Sequence, residues 1–124
     1  AEQSKTATVD EKVNEVRKFI DLQATDMALG DKNAKVKFVE YSSLSCPGCA
    51  HFHKNLFKSL KEKYIDTGLI LYIYRDYPMN GPALAGSMVA HCKPQAFFTV
   101  LNTLFESQEK WAFRKDYKNI LRGI

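Results

Sequence analysis

The stretch Val36-Lys37-Phe38-Val39-Glu40-Tyr41-Ser42-Ser43-Leu44-Ser45-Cys46-Pro47-Gly48-Cys49 decides how this sequence folds. Val36 to Tyr41 is β-branched and aromatic, the composition that suits a pleated, half-buried surface, so it predicts a strand. The strand runs into a serine-rich loop that ends on Cys46. From Pro47 onward Ala50, Phe52 or His53, Phe57, Leu60 and Tyr64 return at helical spacing, with Lys54, Lys58, Lys61 and Lys63 among the polar positions. This predicts one amphipathic helix with both cysteines at its beginning. Asp66-Thr67-Gly68 closes it, and Leu69 to Tyr74 is a continuous apolar run of the kind buried on both faces of a sheet. Strand, helix and strand in this order make a βαβ unit. Its strands are expected to lie parallel with a right-handed crossover, which places the cysteine loop at the carboxyl edge of the sheet.

Working outward, Thr8 and Glu11 have capping-box spacing, and Val9, Val13, Val16, Phe19 and Ile20 recur at helical intervals, so residues 9 to 20 predict an amphipathic helix. Residues 21 to 33 are polar and broken by Gly30, with Met27 and Leu29 alternating, as in a short edge strand and a turn. Beyond Pro78 the pattern turns helical: Pro82 to Cys92, Gln95 to Gln108, and a third helix beginning near Asp116. Phe97, Leu101, Leu104, Phe105 and Trp111 are core candidates. The expected division is an N-terminal helical extension over 1–20, the βαβ part with the cysteine motif over 21–78, and a helical subdomain over 79–124.

Composition narrows the function. With 124 residues, 45% of them hydrophobic and 26% charged, the chain has the make-up of a single soluble globular domain rather than of a disordered or collagen-like one. A chain of this size builds a core without disulfides, so its three cysteines call for another explanation. The net charge of +4 comes mainly from the middle: residues 34 to 65 carry six basic and two acidic groups, against five and seven in residues 1 to 33. That pattern lacks the arginine clusters and interleaved aromatics of a nucleic-acid surface, and no nucleic-acid partner is expected. No run approaches the roughly 18 apolar residues of a membrane span. Ala1 to Thr8 contain no apolar stretch of a secretory signal, so export is argued from cysteine chemistry.

Cys46-Pro47-Gly48-Cys49 after a strand and opening a helix is a redox signal. Pro47 fits the first helical position, where its missing N–H costs nothing. Cys46 then sits by the unsatisfied donors of the helix start, whose dipole favours a thiolate. Such settings bring a cysteine from about 8.5 down to between roughly 3.5 and 7.5. Cys49, one turn deeper, is the resolving thiol. The pair carries its own electrons, so no cofactor is expected. The rival reading is half of a zinc site completed by His51, His53, His91 or Cys92. It expects two separated knuckles, and a proline at a helix start is not a knuckle. Haem attachment would need His directly after Cys49, where Ala50 stands. Two readings of Glu40 stand here: a buried acid beneath the helix that relays the Cys49 proton, or an exposed strand residue in a surface pair. His51 and His53 read as surface or partly buried side chains, either of which would lower the Cys46 thiol if cationic and close. Cys92 reads as a small buried hydrophobe.

The run Leu29-Gly30, Ala34, Val36 and Phe38 to His53, with Tyr74-Arg75-Asp76-Tyr77-Pro78, Ala83-Leu84-Ala85 and Ala90-His91-Cys92, resembles the DsbA-like thiol-disulfide oxidoreductases of Gram-negative bacteria. The resemblance covers residues 22 to 121. It implies a thioredoxin-like fold with an inserted helical subdomain, a periplasmic location, and oxidation of cysteines in exported substrate proteins alongside a membrane or soluble redox partner. It places Cys46 as nucleophile, Cys49 as resolving thiol and Glu40 as the buried acid, supported by Pro47 and Gly48. Gly48 stands where the strongest oxidants of the family have His, which implies a less oxidising disulfide. The family's site is completed by a cis-proline loop and further strands, whereas this chain has only Pro47, Pro78, Pro82 and Pro94. The expectation is therefore the front part of a family member, with its helical subdomain incomplete and its C-terminal strands missing. In relatives with a second disulfide, the cysteine matching Cys92 pairs farther along. An alternative is a catalytically weak fragment that self-associates through unpaired sheet edges.

Overall fold

The computed structural model describes residues 8–124; the first seven residues of the expected N-terminal extension lie outside the described residues. Helix α1 (Val9–Ile20) opens on a capping box: Thr8 Oγ1 accepts the Glu11 N–H at 3.2 Å, and the Glu11 carboxylate accepts the Thr8 N–H at 3.0 Å. None of its residues is buried, and its apolar stripe faces outward.

Three strands follow the expected pattern: β1 (Met27–Leu29), β2 (Val36–Ser42) and β3 (Ile70–Asp76), in spatial order β1-β3-β2. β3 runs parallel to β2, in register from Val36 opposite Ile70 to Ser42 opposite Asp76, and antiparallel to β1. The turn after β1 depends on Gly30, whose φ of 108° lies in the left-handed region. A Cβ there would also stand 2.6 Å from the Ile70 carbonyl oxygen, so only glycine fits.

The helix after the cysteines is not the continuous one that the spacing predicts. α2 (Pro47–Asn55) stops at Leu56, α3 (Phe57–Leu60) follows, and a π-helical turn over Lys61–Ile65 leads toward β3. Ala50, His53, Phe57 and Leu60 keep helical spacing across the bend, whereas Leu60 and Ile65 are five apart, the spacing of the π-turn rather than of an unbroken α-helix. The bend and the wider turn bring Phe57 and Ile65 into the core, and leave Tyr64, counted above among the apolar positions, exposed.

After β3 come α4 (Gly81–His91, capped by Asn80), a 3₁₀ turn over Pro94–Ala96, α5 (Phe97–Glu106), α6 (Gln108–Trp111) and α7 (Tyr117–Arg122). They form one core with the sheet face that carries Tyr72 and Tyr74. Phe97, Leu101, Leu104, Phe105 and Trp111 are all fully buried. Cys92 is not the buried hydrophobe expected. It is exposed just past α4, its thiol donating to the Met88 carbonyl at 3.2 Å. No helix among the described residues is long and apolar enough to cross a membrane.

Arg75 ties the N-terminal region to the sheet. It donates twice to the Asp26 carboxylate at 2.8 Å, to the Tyr41 hydroxyl, and to the carbonyls of Phe19 and Asp21. The guanidinium holds the Asp26 carboxyl below its ordinary value.

Gly86, in the interior of α4, lets Trp111 and Leu44 pack against the helix backbone: a Cβ would stand 2.9 Å from Trp111 Cη2 and 3.0 Å from Leu44 Cδ1. Alanine gains up to about 1 kcal/mol in helix propensity, but forcing a methyl into a closed core costs about 1–3 kcal/mol. Gly86→Ala is expected to lower stability by about 1–2 kcal/mol in urea denaturation. An unchanged or raised midpoint would show that propensity outweighs the contact.

Candidate active site

The loop between β2 and α2 is fixed at both ends by backbone bonds. The Cys46 N–H donates to the Ser43 carbonyl at 3.0 Å, and the Cys46 carbonyl accepts the Ala50 N–H at 3.1 Å, the first bond of α2. Cys46 is thus the N-cap, extended at φ −82° and ψ 118°, with Pro47 in the first turn. Its sulfur lies where helix N–H groups point outward. Partial burial works against a charge on Cys46, but the nearby Cys49 N–H, Cys49 thiol and Gly48 N–H favour one and bring it below its ordinary value. Cys49 behaves oppositely. Burial pushes its thiol up, the Ser42 hydroxyl and Ser43 N–H offset part of this, and the neighbouring Cys46 adds to the rise. The surroundings thus favour a charge on one half-buried cysteine and oppose it on the other.

Gly48 is exposed, and a Cβ built on it would sit 3.9 Å from Cys46 Sγ, an ordinary contact. A side chain therefore fits beside the sulfur.

Glu40 lies beneath α2, with its side chain 12% exposed. Tyr72 Oη donates to its Oε2 at 2.6 Å, and His53 Nε2 reaches both carboxylate oxygens at 2.8–2.9 Å. His53 is not the surface or half-exposed residue expected. It is buried, stacked on Phe105 at 4.4 Å between centroids and 9° between planes. A position that helical counting shared between Phe52 and His53 goes to the histidine because the carboxylate below satisfies its proton. His53 Nδ1 has no hydrogen-bond partner among the described residues. His51 is exposed and pairs with Asn55.

The histidines of the zinc reading are engaged elsewhere. His53 turns to Glu40, and His91 Nε2 lies 2.6 Å from Asp76. Among the described residues no group of three potential metal ligands converges.

One site residue gave no sequence signal. Gln108, in the short helix α6 that periodicity also missed, is buried and donates through Nε2 to the carbonyls of Leu44 at 2.7 Å and Cys46 at 3.0 Å. It clamps the loop from below, and nothing in an isolated glutamine announces that.

Three comparisons bear on this site. A thioredoxin family profile matches residues 22–121. A Rickettsia typhi protein, named as a candidate protein-disulfide oxidoreductase, is 39% identical over 101 residues, covering 80% of this chain. Among solved structures, Wolbachia pipientis alpha-DsbA1 superposes over 86% of this chain and 55% of its own, with a TM-score of 0.78 and 35% identity. A protein-disulfide isomerase from Novosphingobium aromaticivorans covers 73% of this chain and 46% of its own, with a TM-score of 0.68 and 27% identity. The chain spans 37% of the length of the Rickettsia relative. The helix-capping cysteine pair, the βαβ frame with helices laid on it and the match over residues 22–121 agree: the chain belongs to the thioredoxin family, as a DsbA-like member with a helical insertion.

Proposed function

We propose that this protein is a thiol-disulfide oxidoreductase that exchanges its Cys46–Cys49 disulfide with cysteines of exported proteins, in the periplasm. The observation that carries the reading is the contrast within one tetrapeptide: a helix-capping cysteine held below its ordinary value and a partner raised above it. A thiolate is the attacking and the better leaving form, so Cys46 is the sulfur that forms and releases the mixed disulfide, and Cys49 the one that resolves it. The names of the Rickettsia and Novosphingobium relatives support the same class of chemistry. Glu40 is the buried acid that exchanges a proton with Cys49. A membrane or soluble redox partner would reset the pair. The free edge of β2, an outer strand among the described residues, supports a second reading of self-association.

The direct test is trapping. With a cysteine-containing substrate peptide, Cys49→Ser is expected to accumulate a mixed disulfide that mass spectrometry assigns to Cys46, and Cys46→Ser to form none. A mixed disulfide on Cys49 or Cys92 instead would sink the assignment.

Alkylation gives the pH dependence. The Cys46 rate is expected to rise with an inflection below the roughly 8.5 of a free thiol. Because the folded value is depressed, the matching stability of the reduced form is complete above the unfolded cysteine's value and is lost as the pH falls through the folded one.

Gly48→His places a donor beside the Cys46 sulfur, in space the structure leaves open, and stabilises the thiolate further. The reduction potential measured against glutathione is expected to rise; no rise would show that Gly48 is not what sets it.

A further inference from the structure

Two hydroxyls on the sheet face beneath α2 have no hydrogen-bond partner among the described residues: Ser42 Oγ and Tyr74 Oη are enclosed. Their residues are 1% and 2% exposed. An unpaired buried donor costs about 1–3 kcal/mol. Two such donors in one pocket form a costly arrangement unless some state of the protein uses them.

Their placement points to that state. Strand alternation puts Glu40 and Ser42 on one face of β2, and the parallel register sets Tyr74 opposite Glu40 on the neighbouring strand. This is the face that α2 covers, and Cys49 packs against the core that Tyr72 and Tyr74 help to build. The Ser42 hydroxyl favours the charged form of the Tyr74 phenol and of the Cys49 thiol alike, against the burial that raises both. The other titratable groups around the pocket are Cys46 at the start of α2, Glu40 on β2 with its partner His53, and Tyr72 and Asp76 on β3.

We propose that Ser42 and Tyr74 form a hydroxyl pocket that receives the Cys49 sulfur as a thiolate during disulfide exchange, Tyr74 donating to Ser42 and Ser42 to the sulfur. The proposal rests on the oxidoreductase reading above. When a substrate thiolate attacks Cys46 Sγ, a new sulfur–sulfur bond joins Cys46 to the substrate. The Cys46–Cys49 bond breaks, and its electron pair leaves on Cys49. A second substrate thiolate then displaces Cys46 as a thiolate, so the substrate has lost two electrons and the cysteine pair has gained them. The charge on Cys49 appears where water is scarce and burial opposes it. Donors that stand idle beside a neutral thiol and turn to a charged one favour the departing sulfur over the resting one, which is the requirement for speeding its departure. Neither hydroxyl gives up its proton.

The test isolates one thiol. In the full chain carrying Cys46→Ser and Cys92→Ala, thiolate absorbance against pH reports Cys49 alone. Adding Ser42→Ala is expected to move that titration up by about one pH unit, the equivalent of one hydrogen bond to a charged group. Tyr74→Phe, which keeps the ring in place, is expected to move it in the same direction by less, and Ser42→Thr, which keeps the hydroxyl, to restore it. In the chain with its active-site cysteines intact, Ser42→Ala is expected to slow attack by reduced glutathione on the Cys46–Cys49 disulfide severalfold. An unmoved Cys49 titration in either folded variant overturns the proposal. So does a shift in Ser42→Ala that Ser42→Thr does not reverse, since that is a packing effect. Should Ser42→Ala not fold, Tyr74→Phe decides alone. Absence of exchange with glutathione in the parent chain would instead overturn the oxidoreductase reading, an outcome separate from the Cys49 titration.

Discussion

Glu40 accepts from Tyr72 beside it in the sheet and from His53 on the helix above, so one carboxylate joins β2, β3 and α2. A carboxylate removed from water is tolerated only when its lone pairs are met, and here two side chains from different elements meet them. The restraint runs both ways. His53 can lie flat on Phe105 only because its other edge reaches Glu40. Removing one member would leave its partners desolvated, at about 1–3 kcal/mol each. The seat of α2, and with it the position of Cys46 at the helix start, depends on this carboxylate.

On that seat the two cysteines diverge by a small difference in depth. Cys46 caps the helix, where the nearby Gly48 and Cys49 favour its charge. Cys49 turns inward and packs on the aromatic core. Asymmetry of this kind needs no charged residue. It comes from the geometry of a helix N-terminus set over a hydrophobic sheet, with Pro47 giving up a donor that the helix start does not use.

What could be read from the sequence follows from which forces are local. The strand from Val36, the apolar run to Tyr74 and the capping box at Thr8 are set by neighbours in sequence, and each lies where periodicity puts it, β3 merely running two residues further. The break at Leu56 was invisible, because Ala50, His53, Phe57 and Leu60 keep helical spacing across it, and only Leu60 and Ile65, five apart, mark the wider turn that follows. The facing of Glu40 could not be settled from six residues of strand; the structure settles it through Tyr72, 32 positions away. The burial of His53 has the same non-local origin, since it depends on that carboxylate. The exposure of Cys92 is equally hidden, because an apolar helix does not say which of its ends is covered. Gln108 had no local signal at all.

That glutamine also bears on the order of assembly. It lies 62 and 64 residues beyond the carbonyls it holds, far outside the reach of the βαβ unit that supplies the cysteines. Contacts of such separation form late, after the entropy of closing the intervening chain has been met. As the polypeptide emerges from the ribosome, the strands and α2 precede α6, so the cysteine loop is made before the residue that clamps it. The clamp on the cysteine loop therefore closes only when the helical layer settles over the sheet.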